Sequence, residues 1–146
     1  MDSWHQMTLN LINDVRAHGA PTNGPFKGRQ VLLLTTVGAK TGTIRTTPLV
    51  YTTDGDAWVI VASKGGSDSH PAWYLNLLAN PNATIEMGGQ TVPVTATPVH
   101  GAERRRLYDQ HAALHPSFND YEKRTSREIP VILLRHSSQP GPTPAG

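Results

Sequence analysis

The stretch that most constrains the fold is Val31 to Val50, VLLLTTVGAKTGTIRTTPLV. Val31 to Val37 is an unbroken apolar and β-branched run, too short for a helix and stopped by Gly38, which predicts a buried strand. Ile44 to Thr53 predicts the next one. Between them Gly38-Ala39-Lys40-Thr41-Gly42 forms a hairpin-like loop with a cation and a hydroxyl, and Arg45 leaves it on the returning strand. Flexible backbone, donors and positive charge together suit a phosphate or carboxylate. The order Gly-x-Lys-Thr also occurs in a Walker A loop. Here the earlier glycine of that motif is missing and a strand with Pro48 follows where a helix is required, which sets nucleotide hydrolysis aside. A lone hairpin of this kind is more often a solvated turn. A second strand end shifts the balance: Trp58 to Ser63 is apolar and it too ends in a cation with glycines, Lys64-Gly65-Gly66.

The length of 146 residues allows one domain with a modest core. Hydrophobic residues are 37% of the chain, and the 13 glycines bring the apolar fraction to about 46%, inside the globular range. The absence of cysteine excludes disulfides and thiolate metal sites and fits a reducing cytosol. A net charge of +2 with no basic, aromatic-interleaved block gives no nucleic-acid surface. Arg104-Arg105-Arg106 reads as a solvated helix face.

Ser3 to His18 places Trp4, Met7, Leu11 and Val15 at helical spacing, with Ser3 as a cap. It lacks the basic n-region and long apolar core of a signal peptide or membrane span. Gly19 to Gly28 is a loop. Thr53-Asp54-Gly55-Asp56 is a turn, and its acids serve that turn. A helix starts near Pro71 and runs through Trp73 and Leu78 to Asn80-Pro81, with Leu75, Leu77 and Leu78 in the core. Its N-terminus adds positive potential. Thr84 to Met87 and Thr91 to Val99 flank the turn Gly88-Gly89. Pro93 and Pro98 cannot donate to a ladder, so the second of these strands is expected at an edge or barrel corner. Ala102 to Leu114 is a helix, Ser117 with Asp120 resembles a capping box, and Ile129 to Arg135 is the sixth strand. The Pro-, Gly- and Ser-rich residues 136–146 are expected to be disordered.

The 7 histidines do not make a metal site. His111 and His115 are four apart, but the glutamate of H-E-x-x-H is absent and Pro116 follows. No Gly-x-Ser-x-Gly elbow is present for a hydrolase. Catalysis, if the chain performs any, must be supplied by a bound cofactor.

Four ordered blocks, TTVGAKTGTIRTTPL, VASKGG, HPAWYLNLLANPNATIEM and HPSFNDYEKRTSREIPV, resemble the deazaflavin-dependent nitroreductase family of actinobacteria, over roughly Arg29 to Leu134. The resemblance implies a mainly β α+β fold, a six-stranded antiparallel split β-barrel with peripheral helices. It would comprise an N-terminal helix and loop (1–28), a barrel (29–135) and a tail (136–146). It also implies a cytoplasmic enzyme, with room for a peripheral contact at the inner membrane face, that moves a hydride from reduced coenzyme F-420 to an electron-poor small molecule. Lys40, Thr41, Arg45 and Lys64 would hold the phosphate and acidic tail of the coenzyme. Thr46, Thr47, Pro48, Leu49 and Val50, then Val61, Ala62 and Ser63, then Ala72, Trp73, Tyr74, Leu75 and Asn76 would line it. Tyr121 and Ser63 would donate to the acceptor oxygen, and Trp4, His115, Phe118 and Tyr121 would face the acceptor, with Trp4 on a lid.

Three positions depart from the family pattern. Ala39 stands where a second cation is common. His115 and Phe118 stand where nitroimidazole-reducing relatives carry tyrosines, which favours quinones, enones or conjugated lactones over nitroaromatics. Two other readings remain open at this stage: an FMN-dependent split-barrel oxidoreductase, and a non-catalytic carrier of deazaflavin or another small ligand.

Overall fold

A computed structural model describes residues 3–144, with side chains from residue 6 onward. The Trp4 side chain, expected on the lid, lies outside the described residues, as does the expected Ser3 cap. The elements are, in chain order, α1 Ser3–His18, β1 Val31–Val37, β2 Ile44–Val50, β3 Thr52–Asp54, β4 Ala57–Val61, α2 Ala72–Ala79, β5 Asn82–Met87, β6 Gln90–Val99, α3 Gly101–Leu114, α4 Ser117–Lys123 and β7 Val131–His136. The strands form one antiparallel sheet in the order β2-β1-β5-β6-β7-β4-β3.

The sheet has seven strands where six were expected. The run from Ile44 to Thr53 breaks at Tyr51, the single residue between β2 and β3. Those two strands are the opposite edges of the sheet, so one residue joins edge to edge and the sheet must curl into a barrel split beside β2. The Tyr51 N–H still bonds Gln30 O at 3.1 Å, and its carbonyl turns away to His115.

Prolines 93 and 98 lie in a central strand, not at an edge. Their nitrogens point past the ends of neighbouring ladders. Pro93 O accepts from Ser137 N at 2.9 Å, beyond the end of β7, so the Pro93 nitrogen also faces that side. Pro98 has the parity of Ala96, whose N–H bonds Pro81 O, so its nitrogen faces a stretch where β5 has not begun. Pro98 removes no ladder bond, and Pro93 forfeits only the return bond to Ser137 O, one step past the last β6–β7 pair.

Alternation along β1 divides two apolar layers. Leu32 and Leu34 face a barrel core with Ile60, Ala83, Ile85, Val94 and Leu134, capped by Trp73 and Leu77 of α2. Val31 and Leu33 face outward against Ile12 and Val15 of α1. A third cluster joins Val59, Val131 and Leu133 to Leu107, Tyr108 and Phe118. Of the three leucines expected in the core, only Leu77 is there; Leu75 and Leu78 are 46% and 55% exposed, because α2 is apolar on all sides while only one side meets the barrel.

Three more expectations are corrected. Arg104 is 6% exposed, not solvated. It shares a face with Leu107, Tyr108 and His111, donates to Ile129 O from Nε at 3.0 Å and Nη2 at 2.8 Å, and pairs with Glu122 at 3.4 Å. Arg105 and Arg106 are the exposed pair, on Asp109 and Asp54. The α4 cap is Pro116 and no side chain caps that helix, so Ser117 and Asp120 form no capping box. The tail is placed through residue 144: Thr84 Oγ1 donates to Pro142 O at 2.6 Å, and a Cβ on Gly141 would run into Ala83 O and Thr84 Oγ1.

Candidate functional site

In the β1–β2 hairpin, bonded and non-bonded pairs alternate. Gly38 N bonds Thr43 O at 2.8 Å and Tyr51 N bonds Gln30 O at 3.1 Å. Counting in twos between these ends, Arg45, Thr47 and Leu49 turn their backbone groups to β1, whereas Ile44, Thr46, Pro48 and Val50 turn theirs to the open edge. Pro48 therefore sits where its missing N–H costs no ladder bond. The edge offers N–H groups at Thr46 and Val50 and carbonyls at Thr46, Pro48 and Val50.

β1 and β4 run in the same direction through the alternating sheet, so Gly38–Gly42 and Lys64–Gly66 lie at one end of the barrel. Asn76 of α2 fastens that end: its Oδ1 accepts from Ala39 N at 2.9 Å and its Nδ2 donates to Thr36 Oγ1 at 3.0 Å. It is 7% exposed, so this cofactor candidate acts on the hairpin loop through its side chain.

The Lys64–Gly66 turn holds the only non-glycine residue with positive φ among the described residues, Lys64 at 48°. Left-handed backbone costs a side-chain-bearing residue about 1–2 kcal/mol and persists where surroundings over-determine it. Here Gly66 N bonds Ser63 O at 3.0 Å, Ser67 Oγ bonds Lys64 O at 2.7 Å, and Lys64 Nζ reaches Ser69 Oγ at 3.1 Å. Gly66, φ 84°, presses on α4, and a Cβ there would lie 3.0 Å from Tyr121 O and from Arg124 Cβ. Arg127, which the sequence reading did not single out, holds the corner from outside by donating to Ala62 O, Ser63 O and Ser67 O and bonding His70 Nδ1.

A cavity of about 450 Å³ lies on the outer face of β2, lined by Thr46, Thr47 and Pro48, by Met7, Leu11 and Asp14 of α1, and by the loop through Phe26. Its size suits a ligand of a few fused rings. Across the split, His111, His115, Phe118 and Tyr121 form an aromatic row, with Phe118 edge-on to His111 at 4.5 Å and to Tyr121 at 5.0 Å.

Burial, with Arg29 adding to it, holds His115 below the usual imidazole range, against the bond to Tyr51. The ring bonds Tyr51 O from Nε2 at 3.1 Å and meets Arg29 Nη1 from Nδ1 at 3.2 Å. A carbonyl can only accept, so Nε2 carries the proton and Nδ1 accepts from Arg29. His115 thus clamps the residue that joins the sheet edges. Phe118 is 8% exposed, the Tyr121 and Ser63 hydroxyls have no hydrogen-bond partner among the described residues, and in the same aromatic row the buried His111 Nε2 is also without one. Val61, Ala62 and Trp73 are buried core residues; Ala72 and Leu75 are exposed, and Tyr74 lies half-buried against His70.

His111 is fully buried, and burial, then His115, push it down to about 3 from 6.5. Below 6.5 the unfolded chain binds a proton that the folded one refuses, so this stability is present above pH 6.5 and lost as pH falls toward 3. The unfolding free energy of wild type should therefore drop about 1.4 kcal/mol per pH unit faster than that of His111→Phe over this window. Urea melts at pH 7 and 5 check this, and equal slopes would refute it.

A family model described as F420H(2)-dependent quinone reductase matches residues 10–136. The chain belongs to this family. Among curated members of the F420H(2)-dependent quinone reductase family, one from Mycobacterium tuberculosis (strain H37Rv) is 48% identical over 106 residues, 70% of this chain and 71% of the relative. A solved F420-H2-dependent reductase, FDR-A, superposes with TM-score 0.68 at 36% identity, covering 73% of this chain and 95% of its own. A second solved structure, described as a domain-swapped dimer, has TM-score 0.69 at 31% identity, covering 91% and 98%. Membership in the F420H(2)-dependent quinone reductase family gives reduced F-420 as the cofactor and a quinone as the type of acceptor. It agrees with the split-barrel and deazaflavin reading of the sequence. No helix among the described residues is long and apolar enough to cross a membrane, and none of their His, Asp and Glu side chains group as metal ligands.

Proposed function

We propose that this chain transfers a hydride from reduced coenzyme F-420 to a quinone, with the deazaflavin against the open edge of β2 and the phosphate and acidic tail at the barrel end that bears Lys40, Arg45 and Lys64. The observation that carries this reading is where cations lack acids. Arg16, Arg104, Arg105 and Arg106 each pair with a carboxylate; among the cations that pair with none in the described residues, Lys40, Arg45 and Lys64 are set together on the two glycine corners at one end of the barrel. Unpaired cations at one mouth suit an anion brought by a ligand.

When bound, the reduced deazaflavin supplies a hydride from its ring carbon. The chain supplies the rest. The Pro48 carbonyl and the Val50 N–H, neighbours on the open edge, would hold a planar ring by its polar edge, with the Thr46 groups further along the same edge, and Lys40, Thr41, Arg45 and Lys64 would take the phosphate and carboxylates. Met7, Leu11 and Phe26 line the cavity and would give the acceptor an apolar wall beside the ring. Tyr121 and Ser63 donate to the acceptor oxygen as negative charge reaches it. Met7, Leu9 and Phe26, 51%, 40% and 37% exposed, are the surface that would meet a membrane carrying the quinone.

Fluorescence titration should give tighter binding of F-420 than of FMN, and oxidation of reduced F-420 should be faster with a quinone than with a bicyclic nitroimidazole, because Phe118 brings no hydroxyl. Tighter FMN binding would replace the cofactor, binding without turnover would leave a carrier, and a higher kcat/KM for the nitroimidazole would overturn the acceptor assignment.

A further inference from the structure

We propose that Arg127 is a positioning residue for the cofactor corner: it holds Ser63 to His70 in the one shape that presents the Ser63 hydroxyl and the Lys64 ammonium together. The proposal rests on the site reading above. Arg127 lies in the segment between α4 and β7 and reaches the corner across some sixty residues of chain. Nε donates to Ser67 O at 2.8 Å, Nη2 to Ser63 O at 2.8 Å and Ala62 O at 3.3 Å, and Nη1 to His70 Nδ1 at 3.1 Å.

Three carbonyl oxygens that would otherwise repel one another are gathered on one rigid fork. A lysine ammonium, whose donors radiate from a point, cannot span the same set. Every other bond that fixes the left-handed Lys64 is local to residues 63–69, apart from Arg124 Nη1 to Gly65 O at 3.4 Å. Arg127 therefore gives the turn its strongest tie to the rest of the fold. It also ties the turn to α2, because His70 precedes Pro71, the cap of that helix. Because a guanidinium only donates, His70 Nδ1 must accept, and burial and the nearby Arg127 charge both hold the ring below its usual protonation range. Arg127 makes no ion pair within 4 Å of a carboxylate among the described residues, although the Asp68 charge acts on it, so its guanidinium serves the carbonyls and His70.

The experiment compares wild type, Arg127→Lys, Arg127→Ala and Arg135→Ala, the last an exposed arginine on β7 with no side-chain partner among the described residues. Amide hydrogen exchange is read without cofactor at Gly66 and Ser67, whose N–H groups close the turn on Ser63 O and Lys64 O. Affinity for F-420 is read by fluorescence. Arg127→Lys should speed exchange at those two amides and weaken F-420 binding, each about tenfold, the equivalent of one charge-assisted bond. Exchange in the barrel strands and the melting temperature should hold, and Arg135→Ala should match wild type throughout. Full rescue by lysine would reduce Arg127 to a charge and overturn the proposal. Loss of protection throughout the strands of Arg127→Lys would overturn it in favour of a general structural role. Should wild type itself fail to bind F-420, the proposed function falls, while the exchange readout still decides whether Arg127 sets the corner.

Discussion

Arg104→Ala is expected to be among the most damaging single changes in the chain, destabilising it by about 3 kcal/mol and lowering the melting temperature by about 6–12 °C. The guanidinium is 6% exposed and bonds the carbonyl of Ile129, itself 1% exposed. Truncation would leave that carbonyl without a partner, remove one of the two arginines on Glu122, and open a void beside Tyr108, whose ring lies 5.2 Å from the guanidinium carbon. Arg106→Ala, on the exposed side of the helix, should move the melt hardly at all, because a solvated ion pair contributes about 0–1 kcal/mol. Calorimetric melts of the two variants decide the matter. Equal melts would mean that Arg104 is as dispensable as its neighbours in sequence.

Lys64→Ala and Arg45→Ala should each weaken F-420 binding by about tenfold or more while the melt holds, since charge-assisted hydrogen bonds contribute roughly 1.5–3 kcal/mol and both side chains are exposed. The double variant should lose about a hundredfold if both cations meet the tail at separate points. The loss should shrink as salt rises, because exposed charges are screened over about 8–10 Å at moderate ionic strength. Titrations at low and high salt measure this. Wild-type affinity in both single variants at low salt would move the anion site away from these two corners.

The strands were legible because their apolar or β-branched runs are short and stop at a glycine or at a polar residue followed by one: Val31 to Val37 at Gly38, Trp58 to Ser63 at Lys64-Gly65 and Thr91 to Val99 at His100-Gly101, and all appear within a few residues of where they were expected. The break at Tyr51 was not legible. Val50-Tyr51-Thr52 is β-branched and aromatic throughout, and only the tertiary curl, with His115 taking the Tyr51 carbonyl, ends one strand there and starts another. Arg104 was misread because three arginines in a row suggest solvent, although its spacing to Leu107, Tyr108 and His111 places it on the buried face. Of the proposed site, both glycine-and-lysine turns could be read from composition and do lie at one end of the barrel, since glycine and lysine at a strand end announce themselves. Arg127 could not, because its partners are main-chain carbonyls sixty residues away, and carbonyls leave no trace in a sequence.

The open side of β2 carries a second consequence, for solubility. An unpaired strand edge is a template on which a foreign strand can add, and such growth needs a donor at every other residue. Along this edge those residues are Ile44, Thr46, Pro48 and Val50, and the proline removes the donor in the middle, leaving those of Thr46 and Val50 about 13 Å apart. A flat ring needs only a short stretch of that edge, whereas another chain needs all of it. Pro48 thus lets the barrel stay open to a small molecule while interrupting the row that self-association would follow.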